Sequence, residues 1–418
     1  MATSTGSIAR GWAGAAWGTG LVAPFGRAGF RLAWAGRACS LVGEQAQALV
    51  LAAVALDLTG TASGWGGVLV AQAVPRVLLM LVGGVVSDRL RPAAILRSTA
   101  LLQAVGLLAL LGAHAAGALT LGHLYAFAAV YGTLSAFALP TEEALVPALV
   151  PEEMIRPANA LWSLALNLAR FGGPPLAGLL LASVGTGAAL GAVAAGALAS
   201  AVLFGRVRVA AAPRRCRASA WRDLREGLGA AWREPVVGVS ILVLAVFNLG
   251  YAGATLVGLP TLAKLELGAD DRGAGLLLGA VGVGALAGVL GVGALPGVGR
   301  LGLVAGLAVV LVGAGLIGAG LAPSLSCAAA AMTVSGAGIS SAAVALKTLV
   351  QTRAPAGARG RVMALFSLSL AGLTPLSYGL GGLVGDAVGP RAILLLGGAC
   401  VVFAGALALA VRPMRDAR

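Results

Sequence analysis

The chain has 418 residues, of which 59% are hydrophobic and only 11% are charged, and its formal net charge is +14. Its mean hydropathy of +0.95 is more than a soluble chain can hide in a core, so an ordinary soluble protein is excluded and a protein that crosses a membrane several times is indicated. The basic residues lie between apolar runs rather than on one polar domain, which argues against a nucleic-acid partner.

In chain order, a polar N-terminal segment (residues 1–33) precedes twelve apolar runs that charged residues, prolines or glycines separate. Crossing the hydrocarbon core as a helix takes about 20 apolar residues, so the runs predict an all-α integral membrane protein with twelve transmembrane helices. No short apolar run precedes a cleavage site, and the first run is therefore expected to remain as a helix. A short tail, residues 412–418, follows the last run. The predicted spans are 34–57, 64–87, 93–115, 118–139, 156–183, 186–204, 236–258, 272–294, 301–321, 325–349, 361–384 and 391–411.

The distribution of lysine and arginine predicts the orientation of the spans. When both termini are placed on one side of the membrane, that side receives 22 of the 29 basic residues. The other side receives only Lys264, Arg272 and Arg391. Because cytoplasmic loops are enriched in basic residues, both termini are predicted to be cytoplasmic, in a multi-pass protein of the inner (plasma) membrane.

The longest polar segment, residues 205–235, divides the predicted spans six and six. In its second part Trp221, Leu224, Leu228 and Trp232 recur at helical spacing among charged residues. This pattern predicts a cytoplasmic linker whose amphipathic helix lies on the membrane surface. An ordinary solvated linker helix is the alternative.

The loop between the second and third predicted spans contains Gly84, Asp88 and Arg89 within the segment "GVVSDRLR". This segment resembles the gating-loop signature of the major facilitator superfamily, G-x-x-x-D-R-x-G-R-[KR], although Arg91 and the residues after it depart from that signature. The resemblance implies a loop that latches neighbouring helix ends and helps to gate transport. The glycine allows close helix approach, and the aspartate can cap a helix or pair with an arginine. A plain boundary turn is the alternative.

The stretch from Ala136 to Leu181 contains "ALVPALVPEE" and "NLARFGGPPLAG". It resembles spans four and five of the macrolide-efflux and enterobactin-exporter branch of the same superfamily, a branch of drug:proton antiporter type. The resemblance implies two six-helix bundles, residues 34–204 and 236–411, around a central cavity. Gly173, Pro174 and Gly178 resemble part of the antiporter motif of drug exporters, although the final glycine pair of that motif is missing from this chain.

Three charged side chains lie deep within the predicted spans. Glu44 of the first span is the only carboxylate well inside a predicted span, roughly 15 Å from the membrane face. Arg76 of the second span and Arg170 of the fifth lie at about the same depth. Ionisable groups at depth mark transport pathways, so Glu44 is predicted to carry a coupled proton and the two arginines to be its charge partners. A static pair between Glu44 and an arginine is the alternative.

Some polar side chains lie on the same helix faces as these charges, and others lie in the spans of the C-terminal half. Spacings of three and four residues place one set beside Glu44 and another beside Arg170, on faces that would line a cavity or a helix contact. Arg37 and Lys347, near span ends, are instead expected to extend toward the membrane surface. The predicted cavity residues are Ser40 and Gln47 in span one, Ser163 and Asn167 in span five, Asn248 and Tyr251 in span seven, and Tyr378 in span eleven.

Together these features favour a secondary transporter that exports a hydrophobic or amphipathic small molecule, such as a drug, macrolide, siderophore or secondary metabolite. Export would proceed by alternating access and would be driven by a proton gradient, in a monomer without cofactor or metal. No His/Cys/Asp cluster and no Walker motif is present, which argues against a membrane enzyme and against ATP-driven transport. A non-transporting sensor or scaffold that keeps the fold, and an importer of a small metabolite, are the alternatives.

Overall fold

The computed structural model describes residues 20–87, 90–208, 228–229, 231–293, 300–355 and 359–417. Within these ranges every regular element is helical. The principal helices are α1 (Ala28–Thr59), α2 (Ala62–Ser87), α3 (Pro92–Ala115), α4 (Leu121–Leu149), α5 (Ile155–Gly205), α6 (Pro235–Gly253), α7 (Asp271–Gly293), α8 (Leu301–Leu321), α9 (Leu325–Arg353), α10 (Arg359–Ala371), α11 (Thr374–Val388), α12 (Pro390–Ala410) and α13 (Arg412–Arg415).

These helices confirm the predicted twelve-span membrane fold. Ten segments of the described chain are long and apolar enough to cross a membrane. The longest, Glu152–Gly205, contains two crossings, because Gly185 adopts φ +84 and bends α5 into a first arm (residues 155–184) and a second arm (residues 186–205). Only glycine takes such a φ at little cost, so Gly185 forms the turn between the two arms, where the sequence predicts one. Helix α2, with 26 residues, supplies the remaining crossing.

Several helices differ in length from the predicted spans. Helix α4 continues through Pro140 and Pro147 to Leu149, ten residues beyond the predicted end. Helix α6 continues through π-helical turns around Pro260 as far as Glu266, because a proline inside a helix removes one backbone hydrogen bond. The predicted eleventh span is interrupted between α10 and α11. Prolines are tolerated in membrane helices when neighbouring helices and side chains accommodate them. A proline in the sequence therefore does not by itself show where one of these helices ends.

The helices form an N-terminal half (α1–α5) and a C-terminal half (α6–α12). In the N-terminal half α5 packs on α1 and α3, and α2 packs on α4. In the C-terminal half α8 packs on α9 and α12, while α7 packs on α9. The two halves meet where α5 contacts α7 and where α2 contacts α11.

The two ends of the bundle take their names from the chain segments they carry. The termini face is the end at which α1 begins and α12 ends, and the opposite face is the end at which α1 ends and α2 begins. The predicted amphipathic helix of the linker falls almost entirely outside the described residues. Asp88 and Arg89 of the predicted gating loop also lie outside them, while Gly84 belongs to the last turn of α2.

Candidate functional site

A cavity of about 640 Å³ lies between the two halves. Helices α1 to α5 of the N-terminal half and α6, α7, α9, α10 and α11 of the C-terminal half all contribute to its lining. Thr99 of α3 and Glu142 of α4 line it about two turns from the termini-face ends of their helices. A site shared by two halves is the arrangement that alternating access requires, because relative movement of the halves changes which side the site faces.

The halves are tied together by polar contacts at the opposite face. Asp386 of α11 accepts hydrogen bonds from the backbone N–H groups of Ala62, at 2.7 Å, and Ser63, at 3.2 Å, and thereby caps the start of α2. Lys264 bridges two carboxylates, with Nζ 2.8 Å from Asp57 of α1 and 2.9 Å from Asp271 of α7. The caps and bridges join chain segments that are about 200 to 320 residues apart, so relative movement of the halves must break them.

Trp65 adds a buried anchor beside these contacts. Its indole Nε1 donates a 2.6 Å hydrogen bond to the carbonyl oxygen of Leu256, across the junction of the halves, and its side chain is 1% exposed. Trp65, Asp386 and Lys264 together form one cluster of polar contacts between the two halves. The cavity lies between that closed region and the termini face.

Glu44 lines the cavity from α1 and is half-buried. Its carboxylate accepts a 2.7 Å hydrogen bond from the hydroxyl of Tyr131 on α4. Among the described residues, no lysine or arginine nitrogen lies within 4.0 Å of it. Glu44 is therefore held by a neutral donor and not by an ion pair.

Arg76 of α2 and Arg170 of α5 line the same cavity as Glu44. Neither guanidinium has a carboxylate within 4.0 Å in the described part of the chain. The three charges that the sequence places at one depth thus surround one space without pairing. Their charges act on whatever occupies the cavity and on each other across it.

The structure corrects the sequence interpretation of Arg37. Its side chain is 8% exposed, forms an ion pair with Glu142, and lies over the ring of Trp162 with the guanidinium carbon 4.5 Å from the ring centroid. It does not extend to the membrane surface. The prediction that Glu44 is the only carboxylate deep in a span is also wrong, because α4 continues past Pro140 and places Glu142 inside the bundle, 8% exposed.

The predicted polar faces meet the cavity only in part. Ser40 lines it, but Gln47 is buried and accepts a 2.9 Å hydrogen bond from Gln103 Nε2 in the contact between α1 and α3. On the first arm of α5, the residues at the cavity are Leu166, Arg170 and Pro174, which are spaced by four and form one face. Ser163 and Asn167 lie beside that face and are not part of the lining.

The C-terminal half presents the predicted neutral side chains Asn248, Tyr251 and Tyr378 to the cavity. Asn248 Nδ2 donates to the carbonyl oxygen of Leu370 at 2.7 Å, and its Oδ1 accepts from Thr374 at 3.1 Å. These bonds join the end of α10 to the start of α11, so Asn248 satisfies backbone and side-chain groups at the break in the eleventh span. Gly372 and Pro375 are the features of the sequence that mark this break.

The residues that resemble the antiporter motif lie at helix contacts. A Cβ atom on Gly173 would lie 2.6 Å from Gln45 Cβ on α1. A Cβ atom on Gly178 would lie 2.5 Å from the carbonyl oxygen of Asp271 on α7. Pro174 lines the cavity between these two glycines. This stretch therefore lets α5 approach one helix of each half closely.

A protein-family model described as transmembrane secretion effector matches residues 19–417, nearly the whole chain. No curated protein matches the sequence. Among solved structures, a bacterial homologue of the iron transporter ferroportin in the inward-facing state has 19% identity, with 91% of this chain and 98% of that chain covered at a TM-score of 0.71. The match to the family model shows the family of this chain, and the structural match shows its fold.

Two further solved structures share the fold at lower identity. One is a bacterial homologue of the human lysosomal transporter Spinster, inward-facing and unoccupied, with 14% identity, 93% and 96% of the two chains covered and a TM-score of 0.66. The other is a POT family transporter in complex with a thioalcohol-conjugated peptide, with 12% identity, 91% and 95% covered and a TM-score of 0.72. The chain is a membrane transporter of the major facilitator type and belongs to the transmembrane secretion effector family.

Proposed function

We propose that this transporter exports a hydrophobic or amphipathic small molecule in exchange for protons, and that Glu44 carries the proton. The observation that supports the proposal most directly is the position of Glu44. It is a carboxylate in a cavity shared by both halves, and it is bound by the Tyr131 hydroxyl at 2.7 Å instead of by a basic side chain. A carboxylate without an ion-pair partner can gain or lose a proton when its surroundings change.

Alternating access would supply that change of surroundings. The closed contacts of Asp386, Lys264 and Trp65 hold the opposite face together, and the cavity lies toward the termini face. When these contacts break and the halves rock, the wetting of Glu44 changes, while Arg76 and Arg170 belong to the same half as Glu44 and move with it. The proton affinity of a carboxyl depends on its solvation, so the two conformations would hold the proton with different strength.

The direction of transport is proposed from likeness. The description of the family as secretion effectors agrees with outward movement, as does the resemblance of the stretch from Ala136 to Leu181 to macrolide and enterobactin exporters. The substrate is proposed to be one small molecule of the drug, macrolide, siderophore or secondary-metabolite kind, carried by a monomer without a cofactor. Import by the same machinery, or a sensor that does not transport, would give different outcomes in the measurement below.

Glu44→Gln is expected to reduce gradient-driven efflux by about tenfold or more while the amount of protein in the membrane stays the same, because glutamine keeps the hydrogen bond with Tyr131 and removes the titration. The test uses a compound whose accumulation the wild-type chain lowers in cells and whose efflux an uncoupler abolishes. With that compound, proton flux into proteoliposomes is recorded with an internal pH-sensitive dye. Glu153→Gln, an exposed carboxylate outside the cavity, is the matched control.

Three results would contradict the proposal. A Glu44→Gln protein that still moves the compound uphill with normal proton flux would show that another group carries the proton. Uptake into cells in place of efflux would indicate an importer. A chain that lowers the accumulation of none of a broad panel of amphipathic compounds would favour the sensor.

We also propose that the termini face is cytoplasmic and that residues 205–235 form a cytoplasmic linker between the bundles 34–204 and 236–411 in the inner membrane. The strongly unequal distribution of lysine and arginine supports this orientation. A reporter that is active only outside the cytoplasm should be silent when fused at Arg215 and active when fused at Ala269, near the start of α7. The reverse pattern would invert the proposed topology.

A further inference from the structure

A second cavity lies at the termini face between the start of α3 and the end of α5, and Phe204 stands between it and the central cavity and lines both. Its volume is about 800 Å³. Three arginines contribute to its lining: Arg91 and Arg97 at the start of α3, and Arg208 just after α5. All three are exposed, and the described lining contains no carboxylate. The cavity therefore concentrates positive charge in a concave site at the end of the membrane bundle.

These arginines have no acidic partner in the described chain. No described carboxylate oxygen lies within 4.0 Å of any of the three. Elsewhere at the bundle ends, two half-buried basic side chains do pair: Lys264 binds Asp57 and Asp271, and Arg391 binds Glu266 at 2.5 Å. Converging arginines without carboxylates are suited to an anion from outside the chain, and the guanidinium fork binds phosphate oxygens two at a time.

The backbone adds a donor to the same cavity. Helix α3 begins with Pro92, which has no N–H group, and no side chain caps its N-terminus. The first backbone N–H of α3, that of Ala93, has no acceptor among the hydrogen bonds of the described chain, and Ala93 lines the cavity. Helix N-termini attract anions through their dipole and their unbonded N–H groups. This donor reinforces the three arginines.

An apolar surface leads from the cavity along the outside of the bundle. Leu101 lines the cavity and is 43% exposed, and Val105 and Leu108 continue the same exposed face of α3 toward the middle of the membrane. Val202, 55% exposed, lies on the neighbouring arm of α5. A ligand that fits both features has an anionic head and long apolar tails. Free phosphate matches only the cavity.

We propose that this cavity binds the phosphate headgroup of an anionic phospholipid, with its acyl chains lying on the exposed face of α3 and α5. The site is distinct from the central cavity and is independent of the proposed export function. Arg91 follows directly after the loop that contains Asp88 and Arg89. A lipid bound at Arg91 would therefore hold one end of that loop. Basic pockets between membrane helices on the cytoplasmic side bind anionic headgroups by the same chemistry.

The test measures lipid binding to the purified full-length protein by native mass spectrometry after delipidation. The probes are phosphatidylglycerol, phosphatidylcholine with identical acyl chains, and glycerol phosphate without chains. We expect phosphatidylglycerol to bind about tenfold or more tightly than the other two. Replacing Arg91, Arg97 and Arg208 together with glutamine should remove this preference.

Two further variants distinguish binding at this cavity from a general effect of positive charge on the protein surface. The triple change Arg156→Gln, Arg353→Gln and Arg412→Gln removes the same charge from exposed positions outside the cavity and should leave the preference intact. Gly205→Leu keeps every charge but fills the cavity beside Arg97, whose Cδ lies 3.2 Å from the added Cβ, so it should weaken binding of phosphatidylglycerol. The proposal fails if glycerol phosphate binds as tightly as the lipid, if phosphatidylcholine does, or if both triple variants behave alike.

Discussion

Glu142→Leu is expected to lower the free energy of unfolding by about 3–5 kcal/mol, because it breaks a buried ion pair by removing one of its two members. Arg37 is 8% exposed and its guanidinium lies over Trp162, so it cannot reach water without leaving its packed position. A charged side chain inside a membrane bundle is costly, and the ion pair with Glu142 offsets part of that cost. The measurement is thermal unfolding of the purified protein in detergent, followed by the loss of its main size-exclusion peak.

The double variant Arg37→Met with Glu142→Leu is expected to recover most of the stability lost by Glu142→Leu alone. Two apolar side chains of similar volume need no partner, and replacing a whole buried pair is often neutral or stabilising. Glu153→Leu, at an exposed carboxylate, is the control for adding an apolar side chain. If the double variant is as unstable as the two single changes combined, Arg37 and Glu142 do not stabilise the fold as a coupled pair.

This ion pair also shows where interpretation of the sequence fails. A charge in the middle of an apolar run is visible without a structure, which is why Glu44, Arg76 and Arg170 could be named and are found around one cavity. Glu142 lies two residues after Pro140 and directly before a second carboxylate, a pattern typical of a loop. Neighbouring helices keep that segment helical, and no local feature of the sequence indicates their presence.

Contacts between distant segments were equally hard to predict. Asp386 caps α2 from more than 300 residues away, whereas its position in the sequence is typical of a residue at a helix end. On α5 the sequence shows polar residues at helical spacing, but the rotation of the helix is set by its packing on α1, α3 and α7. That rotation turns Arg170 into the cavity and leaves Asn167 outside the lining. Periodicity defines a face, and only tertiary contacts decide what the face meets.

A large effect on transport is also expected from a substitution at the close contact between α5 and α7. A Cβ atom on Gly178 would lie 2.5 Å from the Asp271 carbonyl oxygen and 3.2 Å from Arg272 Cα, and both are backbone atoms of α7 that cannot turn aside. From the other helix, a Cβ atom on Gly275 would lie 2.6 Å from the Pro174 carbonyl oxygen. The two helices approach so closely at the opposite face that neither tolerates a side chain there.

Gly178→Val should therefore prevent closure of the opposite face and reduce transport by about tenfold or more, because the favoured conformation becomes the one in which α5 and α7 are apart. Gly172→Val is the matched control, since it lies on the same arm of α5 and a Cβ atom there meets nothing within 4 Å. Thr255→Cys, at the cavity lining near Trp65, reports the opening in a background without the four native cysteines. A membrane-impermeant thiol reagent applied at the opposite face should label Thr255→Cys faster with Gly178→Val than with Gly172→Val, at equal protein levels. Equal labelling in the two variants, together with equal transport, would mean that the contact between α5 and α7 does not have to close during the cycle.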